Sequence, residues 1–209
     1  MTITTYEQSG LIITSDNGHK LAIDIGALTP LEKLNDVTVD SMLVSHIHAD
    51  HCSAERVQTL APDMIYTGAQ CSSALAEINL PITEIEEGNS FTAADFIVTP
   101  FEVDHGPNAP VVPAQNFGFL IEVDEKKIYF AGDMYIPSGI SVTDLSVDVA
   151  LLPVGGHFTF DAQAALAFAN QFKQISTIYP MHYEAVGPID TTAANVFAQL
   201  AADSFTIAA

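Results

Sequence analysis

The chain has 209 residues, 48% of them hydrophobic, and 26 acidic against 6 basic side chains give it a formal charge of −20 at pH 7. That length suits one domain with a substantial core, the apolar content excludes a disordered chain, and no apolar run approaches the ~20 residues that span a bilayer. So acidic a surface repels phosphate backbones, which makes nucleic acid a poor partner.

Along the chain, residues 11–14 and 20–25 alternate apolar side chains around Ser15-Asp16-Asn17-Gly18, a hairpin signal with His19 as a surface residue at its turn. The apolar run 41–45 reads as a strand, followed by a helix over residues 54–60. Residues 64–66 read as a short strand and 70–78 as a helix with Leu75 and Ile78 on one face. Strands are expected at 96–103, 117–123 and 127–131, with Asp124-Glu125 as the last turn, and a buried strand at 147–152. Asp161 is suited to cap a helix over 162–172, whose Ala165, Leu166, Phe168, Ala169 and Phe172 form an apolar stripe that reads as core. Thr191 or Thr192 is expected to cap a final helix over 193–201, before a closing strand at 205–208.

The densest chemistry is His46-Ile47-His48-Ala49-Asp50-His51, directly after the 41–45 strand. Alternate side chains of an extended segment share a face, so His46 and His48 project together and can grip one cation through imidazole nitrogens at about 2.0–2.1 Å. Asp50 and His51 lie where the chain must turn and can reach a second cation. Strand ends are where α/β folds place their chemistry. Cys52 and Cys71 are too few for a disulfide scaffold, and a reducing compartment is expected. Cys52 reads as an inert buried thiol more readily than as a neighbour of the metal.

His46-x-His48-x-Asp50-His51 after an apolar strand resembles the signature of the metallo-β-lactamase-fold hydrolases. The resemblance implies more ligands from distant loops: a His, an Asp that bridges two metals, and a last His. His105 follows the 96–103 strand and precedes Gly106-Pro107. Asp133 ends Lys127-Ile128-Tyr129-Phe130-Ala131-Gly132-Asp133, and His182 follows Ser176-Thr177-Ile178-Tyr179-Pro180, a short strand stopped by proline. Asp24, in Leu21-Ala22-Ile23-Asp24-Ile25-Gly26, resembles the early motif whose Asp braces the metal loop. Leu151-Leu152-Pro153-Val154-Gly155-Gly156-His157-Phe158-Thr159 and Pro180-Met181-His182-Tyr183 are similar to the small bacterial metal-dependent hydrolase branch related to the ascorbate-6-phosphate lactonases. There the Gly-Gly-His-Phe-Thr loop flanks the active site, which makes His157 a candidate catalytic neighbour. The resemblance implies a four-layer αβ/βα sandwich, two packed sheets with helices outside, formed by residues 1–209 as one domain. Periodicity by itself supports only a sheet-rich α/β or α+β chain.

Carried over residue by residue, the resemblance puts His46, His48 and His105 on one metal, Asp50, His51 and His182 on the other, and Asp133 between them. Two dications about 3.5–4 Å apart need anionic ligands, which Asp50 and Asp133 supply, and a bridging hydroxide is the implied nucleophile. Asp50 then orients that nucleophile or shuttles a proton. His157 either polarises the substrate and protonates the leaving group or is a structural His tied to backbone, and Tyr135, Phe158 and Tyr183 either line the pocket or pack. His-rich ligation suits Zn, Fe and Ni, and the carboxylates admit Mn. Zn is the default because hydrolysis needs no redox change, with Mn as the alternative. The expected reaction is hydrolysis of a small ester, lactone or phosphodiester. The scarcity of Lys and Arg, the usual binders of phosphate, tilts it toward a carbonyl. An iron-dependent oxidoreductase on the same fold is the alternative, against which His48 argues, since flavodiiron motifs generally carry Glu there. The first residues lack the basic and apolar regions of an export signal, so a cytoplasmic location is expected.

Overall fold

A computed structural model describes residues 1–109, 111–184 and 188–208. The chain divides into two compact units, Met1–Pro100 with Pro113–Gln115, and Phe101–Val112 with Asn116–Ala209. The first unit carries β1 (Thr2–Thr5), β2 (Leu11–Thr14), β3 (Lys20–Ile23), β4 (Ser41–Val44), α1 (Ala54–Leu60), β5 (Met64–Thr67), α2 (Ala69–Ala74), β6 (Ile82–Glu84) and β7 (Phe91–Ala93). β8 (Phe96–Glu102) pairs with β7 as a hairpin and leads into the second unit.

β1 to β6 form a 6-stranded mixed sheet in chain order. β1, β2 and β3 are antiparallel because short turns join them; β3 to β6 are parallel because helices or 3-10 turns carry the chain back between them. Ile12, Ala22, Met42, Val44 and Ile65 line one face of this sheet and join Leu34, Val57, Leu60, Leu75 and Ile78 in a core. Leu11, Ile13, Leu21, Ile23 and Leu43 on the opposite face are equally buried, and this gives the strands their continuous apolar runs. The exposed strand β1 was not legible, because its Thr-rich letters show no apolar alternation. β3 stops before Asp24, whose φ of 47° turns the chain out of the strand. The expected 70–78 helix breaks at Leu75 into α2 and a 3-10 turn (Ala76–Ile78), with Leu75 and Ile78 facing the core as expected.

The second unit carries β9 (Phe117–Val123), β10 (Lys126–Phe130), β11 (Ser146–Pro153), α3 (Ala162–Ala169), β12 (Gln174–Met181), α4 (Ala193–Ala201) and β13 (Thr206–Ile207). Its strands follow the order β9-β10-β11-β12-β13, antiparallel at the first pair and parallel after it. Asp124 and Glu125, both at positive φ, make the two-residue turn between β9 and β10. Asp161 caps α3 by accepting from Ala164 N at 2.8 Å. The helix ends at Ala169, and Phe172 N donates three residues back to Ala169 O, which keeps Phe172 in the core. The stripe is core except for Leu166, which is half-buried: Phe168 packs against Phe160, Phe172 and Tyr129 at centroid distances of 5.4, 5.4 and 6.0 Å.

Thr192 stands at the N-cap of α4 as expected, but without a side-chain capping bond; Asp190 Oδ1 instead accepts from Thr192 N and Oγ1. Proline does not stop β12, which runs on to Met181. Ile178 O accepts from Ala208 N on the β13 side, so Pro180, two residues on, also aims its backbone that way, beyond the end of β13. Its missing N–H therefore costs no ladder bond.

His19 is exposed as expected, yet it is part of a clamp. Asp95 Oδ2, at the β7–β8 turn, lies 2.8 Å from His19 Nδ1 and accepts from Ser15 Oγ (2.6 Å) and Asn17 Nδ2 (3.3 Å). The hydrogen bond to Asp95 raises the His19 pKa, while Ser15 and then His19 lower that of Asp95. A raised histidine contributes stability in full below its unfolded value, about 6.5, and loses it as pH rises through the folded value. The lowered Asp95 contributes above about 3.9 and loses its share as pH falls through its folded value. The melting-temperature difference between wild type and His19→Ala is thus expected to be largest between those limits and to vanish in mild alkali. A difference that stays constant from acid to alkali would refute the clamp. No helix among the described residues is long and apolar enough to cross a membrane.

Candidate metal centre

In the first unit, the loop after β4 bends at once: His51 N and Cys52 N both donate to His48 O, at 2.9 and 2.7 Å. This folds His46, His48, Asp50 and His51 together. Asp24, fully buried, organises them. Its Oδ1 accepts from Ser45 N (2.8 Å), and its Oδ2 from Ser45 Oγ (2.5 Å) and His51 Nδ1 (2.9 Å). A carboxylate only accepts, so Nδ1 of His51 carries the proton and Nε2 is the nitrogen able to coordinate a metal. Ser45 Oγ donates its one hydrogen to Asp24, so it must accept from His46 Nδ1, 3.0 Å away. The nitrogen of His46 able to coordinate a metal is then Nε2. It lies 3.0 Å from His48 Nδ1, close to the about 3.3 Å that separates two nitrogens held tetrahedrally at about 2.0–2.1 Å from one metal. Asp50 Oδ2 stands 3.6 Å from His51 Nε2 and accepts from Gln8 Nε2 at 3.3 Å.

In the second unit, His105, Asp133 and His182 follow β8, β10 and β12, and all three are buried. Asp133 Oδ2 lies 3.0 Å from His182 Nε2 and 3.6 Å from His105 Nε2. Asn116 Nδ2 donates to the carbonyl of Asp133 at 3.0 Å, which fixes its backbone. A buried carboxylate facing imidazole nitrogens is costly in an apolar interior without compensating charge. His46, His48, Asp50, His51, His105, Asp133 and His182 are all candidate metal ligands, and imidazole with carboxylate is a donor chemistry that fits Zn or another borderline dication.

A family model described as a beta-lactamase superfamily domain matches residues 2–182, through both units. A UPF0173 metal-dependent hydrolase from Pyrococcus abyssi is 31% identical over 157 residues, which cover 72% of this chain and 69% of that protein. The chain belongs to the metal-dependent hydrolases of the beta-lactamase superfamily. Among solved structures, a metallo hydrolase from the hyperthermophilic archaeon Ignicoccus hospitalis matches with a TM-score of 0.80 at 24% identity, over 99% of this chain and 93% of that one. The diiron β-hydroxylase CmlA from Streptomyces venezuelae matches with a TM-score of 0.75 at 13% identity, over 98% of this chain and 52% of that one. These likenesses show the fold, the α/β metallo-β-lactamase-type sandwich expected.

In this metal-dependent hydrolase, glycine backbones press against the ligand loops. A Cβ on Gly26 would lie 1.9 Å from the C and O of Asp50, and one on Gly155 would lie 2.1 Å from His182 O. Neither obstacle is a side chain that can rotate away, so the ligand's own backbone must move. Gly26→Ala and Gly155→Ala are each expected to cost about 1–3 kcal/mol or more and to lower the metal content of the purified protein. Gly18→Ala, strained by its φ of 92° but with nothing within 4 Å of its Cβ, is the control: a destabilised backbone that keeps its metal. Wild-type metal content in both of the first two variants would refute the argument.

His157 is exposed at φ 56°, its ring edge-on to Phe158 and its carbonyl accepting from Asn108 Nδ2 at 2.6 Å. Tyr135, Phe158 and Tyr183 are half-buried, and burial, then the charge of Glu184, raises the Tyr183 pKa, which keeps its phenol protonated. Cys52 is half-buried where a buried thiol was expected, and the neighbouring Cys71 thiol, then burial, pushes its pKa up, in keeping with an inert thiol. Gln8, Ser45, Asn108 and Asn116 carry no signal in the sequence, each being a lone polar residue.

Proposed function

We propose that the chain is a dinuclear hydrolase of a small ester, lactone or phosphodiester. His46, His48 and His105 hold one metal, Asp50, His51 and His182 the other, and Asp133 lies between them. One observation carries the reading: a single buried carboxylate, Asp24, fixes the tautomers of both His46 and His51 so that each presents Nε2. Two divalent ions, Zn by preference and Mn as the alternative, would when bound lower the pKa of water to about 7 and polarise the substrate oxygen.

The chain's own groups do the rest. Asp50, half-buried and steadied by Gln8, orients the attacking water and takes its proton at Oδ2. His157, exposed on its loop, contacts the substrate and hands a proton from its ring to the leaving group. Tyr135, Phe158 and Tyr183 line the approach. The charge of −20 and the shortage of Lys and Arg support a small carbonyl substrate over a phosphorylated one, nucleic acid or a membrane surface.

The test is a panel of lactones, phosphodiesters and thioesters offered to the full chain loaded separately with Zn and with Mn. Hydrolysis of at least one class, lost on chelation, is expected. Oxygen uptake by the Fe-loaded protein with no hydrolysis by any form would overturn the reading in favour of an iron-dependent oxidoreductase.

A further inference from the structure

In the second unit, the loops after β8, β10 and β11 are tied to one another by hydrogen bonds outside the candidate ligand set. Asp104 receives Gly106 N on its carboxylate and Tyr135 N on its carbonyl, at 2.9 and 2.8 Å. Gly106, at φ 69°, is pressed so close to Tyr135 that a Cβ there would fall 2.3 Å from the ring. Phe160 N donates to Met134 O at 2.8 Å. At the meeting point stands Asn108, whose Nδ2 donates to His157 O at 2.6 Å and lies 3.4 Å from Tyr135 Oη.

His157 and Gly156 both sit at positive φ, 56° and 70°. A non-glycine residue persists there only where its surroundings over-determine it. The His157 side chain is exposed, so burial does not hold it; Phe158 N on Gly156 O (2.7 Å) and Gly156 N on Phe160 O (2.9 Å) set the turn, and the bond from Asn108 fixes the His157 carbonyl. A hydrogen bond in so exposed a place adds little to folding. What it supplies is orientation.

We propose that Asn108 is a positioning residue for the reaction: its carboxamide pins the His157 backbone so that the imidazole is held toward the substrate. The inference rests on the reading of His157 as the group that contacts substrate. Asn108 and His157 act as one unit. Removing either removes the same transition-state contact and leaves metal binding alone.

The test uses the full-length, Zn-loaded protein as wild type, Asn108→Ala, Asn108→Asp, His157→Ala and the Asn108→Ala/His157→Ala double variant. Asn108→Asp keeps the bulk and removes the N–H donor, so it separates donation from packing. With 4-nitrophenyl acetate and bis(4-nitrophenyl) phosphate as probes, both Asn108 variants are expected to lose about 10–100-fold in kcat with KM little changed. Metal content stays constant, and the double variant is no slower than His157→Ala. Carbethoxylation of His157 by diethyl pyrocarbonate, followed by peptide mass spectrometry, supplies a readout without turnover. Its rate is expected to change several-fold in Asn108→Asp while labelling of His19 stays the same. Wild-type kcat and His157 labelling in Asn108→Asp, or losses that multiply in the double variant, would overturn the proposal. If the wild type turns over neither probe, the hydrolytic reading fails on these substrates, and the labelling still decides whether Asn108 holds His157.

Discussion

His48→Ala is expected to abolish metal-dependent turnover while the fold stands. The side chain is half-buried, and its contact with His46 is ring against ring, at 4.6 Å between centroids. The structural duty of position 48 falls on its carbonyl, which receives the N–H groups of His51 and Cys52. Alanine keeps that carbonyl, so the turn survives and the stability cost stays near about 1 kcal/mol or less. What disappears is the nitrogen beside His46 Nε2. Losing a direct ligand costs more than the about 10–100-fold that follows loss of an outer partner, so retained metal and turnover should both fall beyond that range. The checks are elemental analysis of the dialysed protein, the thermal transition, and hydrolysis of whichever substrate the panel identifies. Undiminished turnover with unchanged metal content would remove His48 from the ligand set.

This contrast between side-chain and backbone duties explains what the sequence disclosed. The cluster from His46 to His51 was legible because four side chains able to hold a metal fall within six residues directly after a strand; the bend beyond β4, and not strand alternation, brings them together. The turn at Asp124-Glu125, the cap at Asp161 and the apolar stripe of α3 were legible for a related reason: each depends on neighbours within a few residues. Gln8 meets Asp50 across 42 positions and Asn108 meets His157 across 49. A lone amide side chain has no periodicity to betray such a meeting. Pro180 misled because its tolerance depends on where β13 ends, a fact of sheet assembly. Asp24 lies between these cases. Resemblance marked it as a brace, but that it governs two histidines at once through Ser45 is visible only in the hydrogen bonds.

That double role gives the largest structural effect. Asp24→Ala is expected to cost about 3–5 kcal/mol, the range for breaking a buried charged network by removing one partner. Three groups lose their acceptor together: Ser45 N, Ser45 Oγ and His51 Nδ1. Each sits in a buried residue that water reaches poorly, and alanine is also a poorer occupant than aspartate of the left-handed φ of 47°. Asp24→Asn separates the two consequences. Asparagine tolerates that φ and keeps one acceptor, so much of the stability returns, but its amide faces donors with donors at Oδ2 and no longer dictates the tautomer of His51. Metal affinity is then expected to fall by about 10–100-fold even where the melting temperature has largely recovered. Denaturant melts of the apo protein read the first effect, and competition with a chelator reads the second. If Asp24→Asn binds metal as tightly as the wild type, the carboxylate does not set the imidazole tautomers, and the histidines must owe their orientation to packing alone.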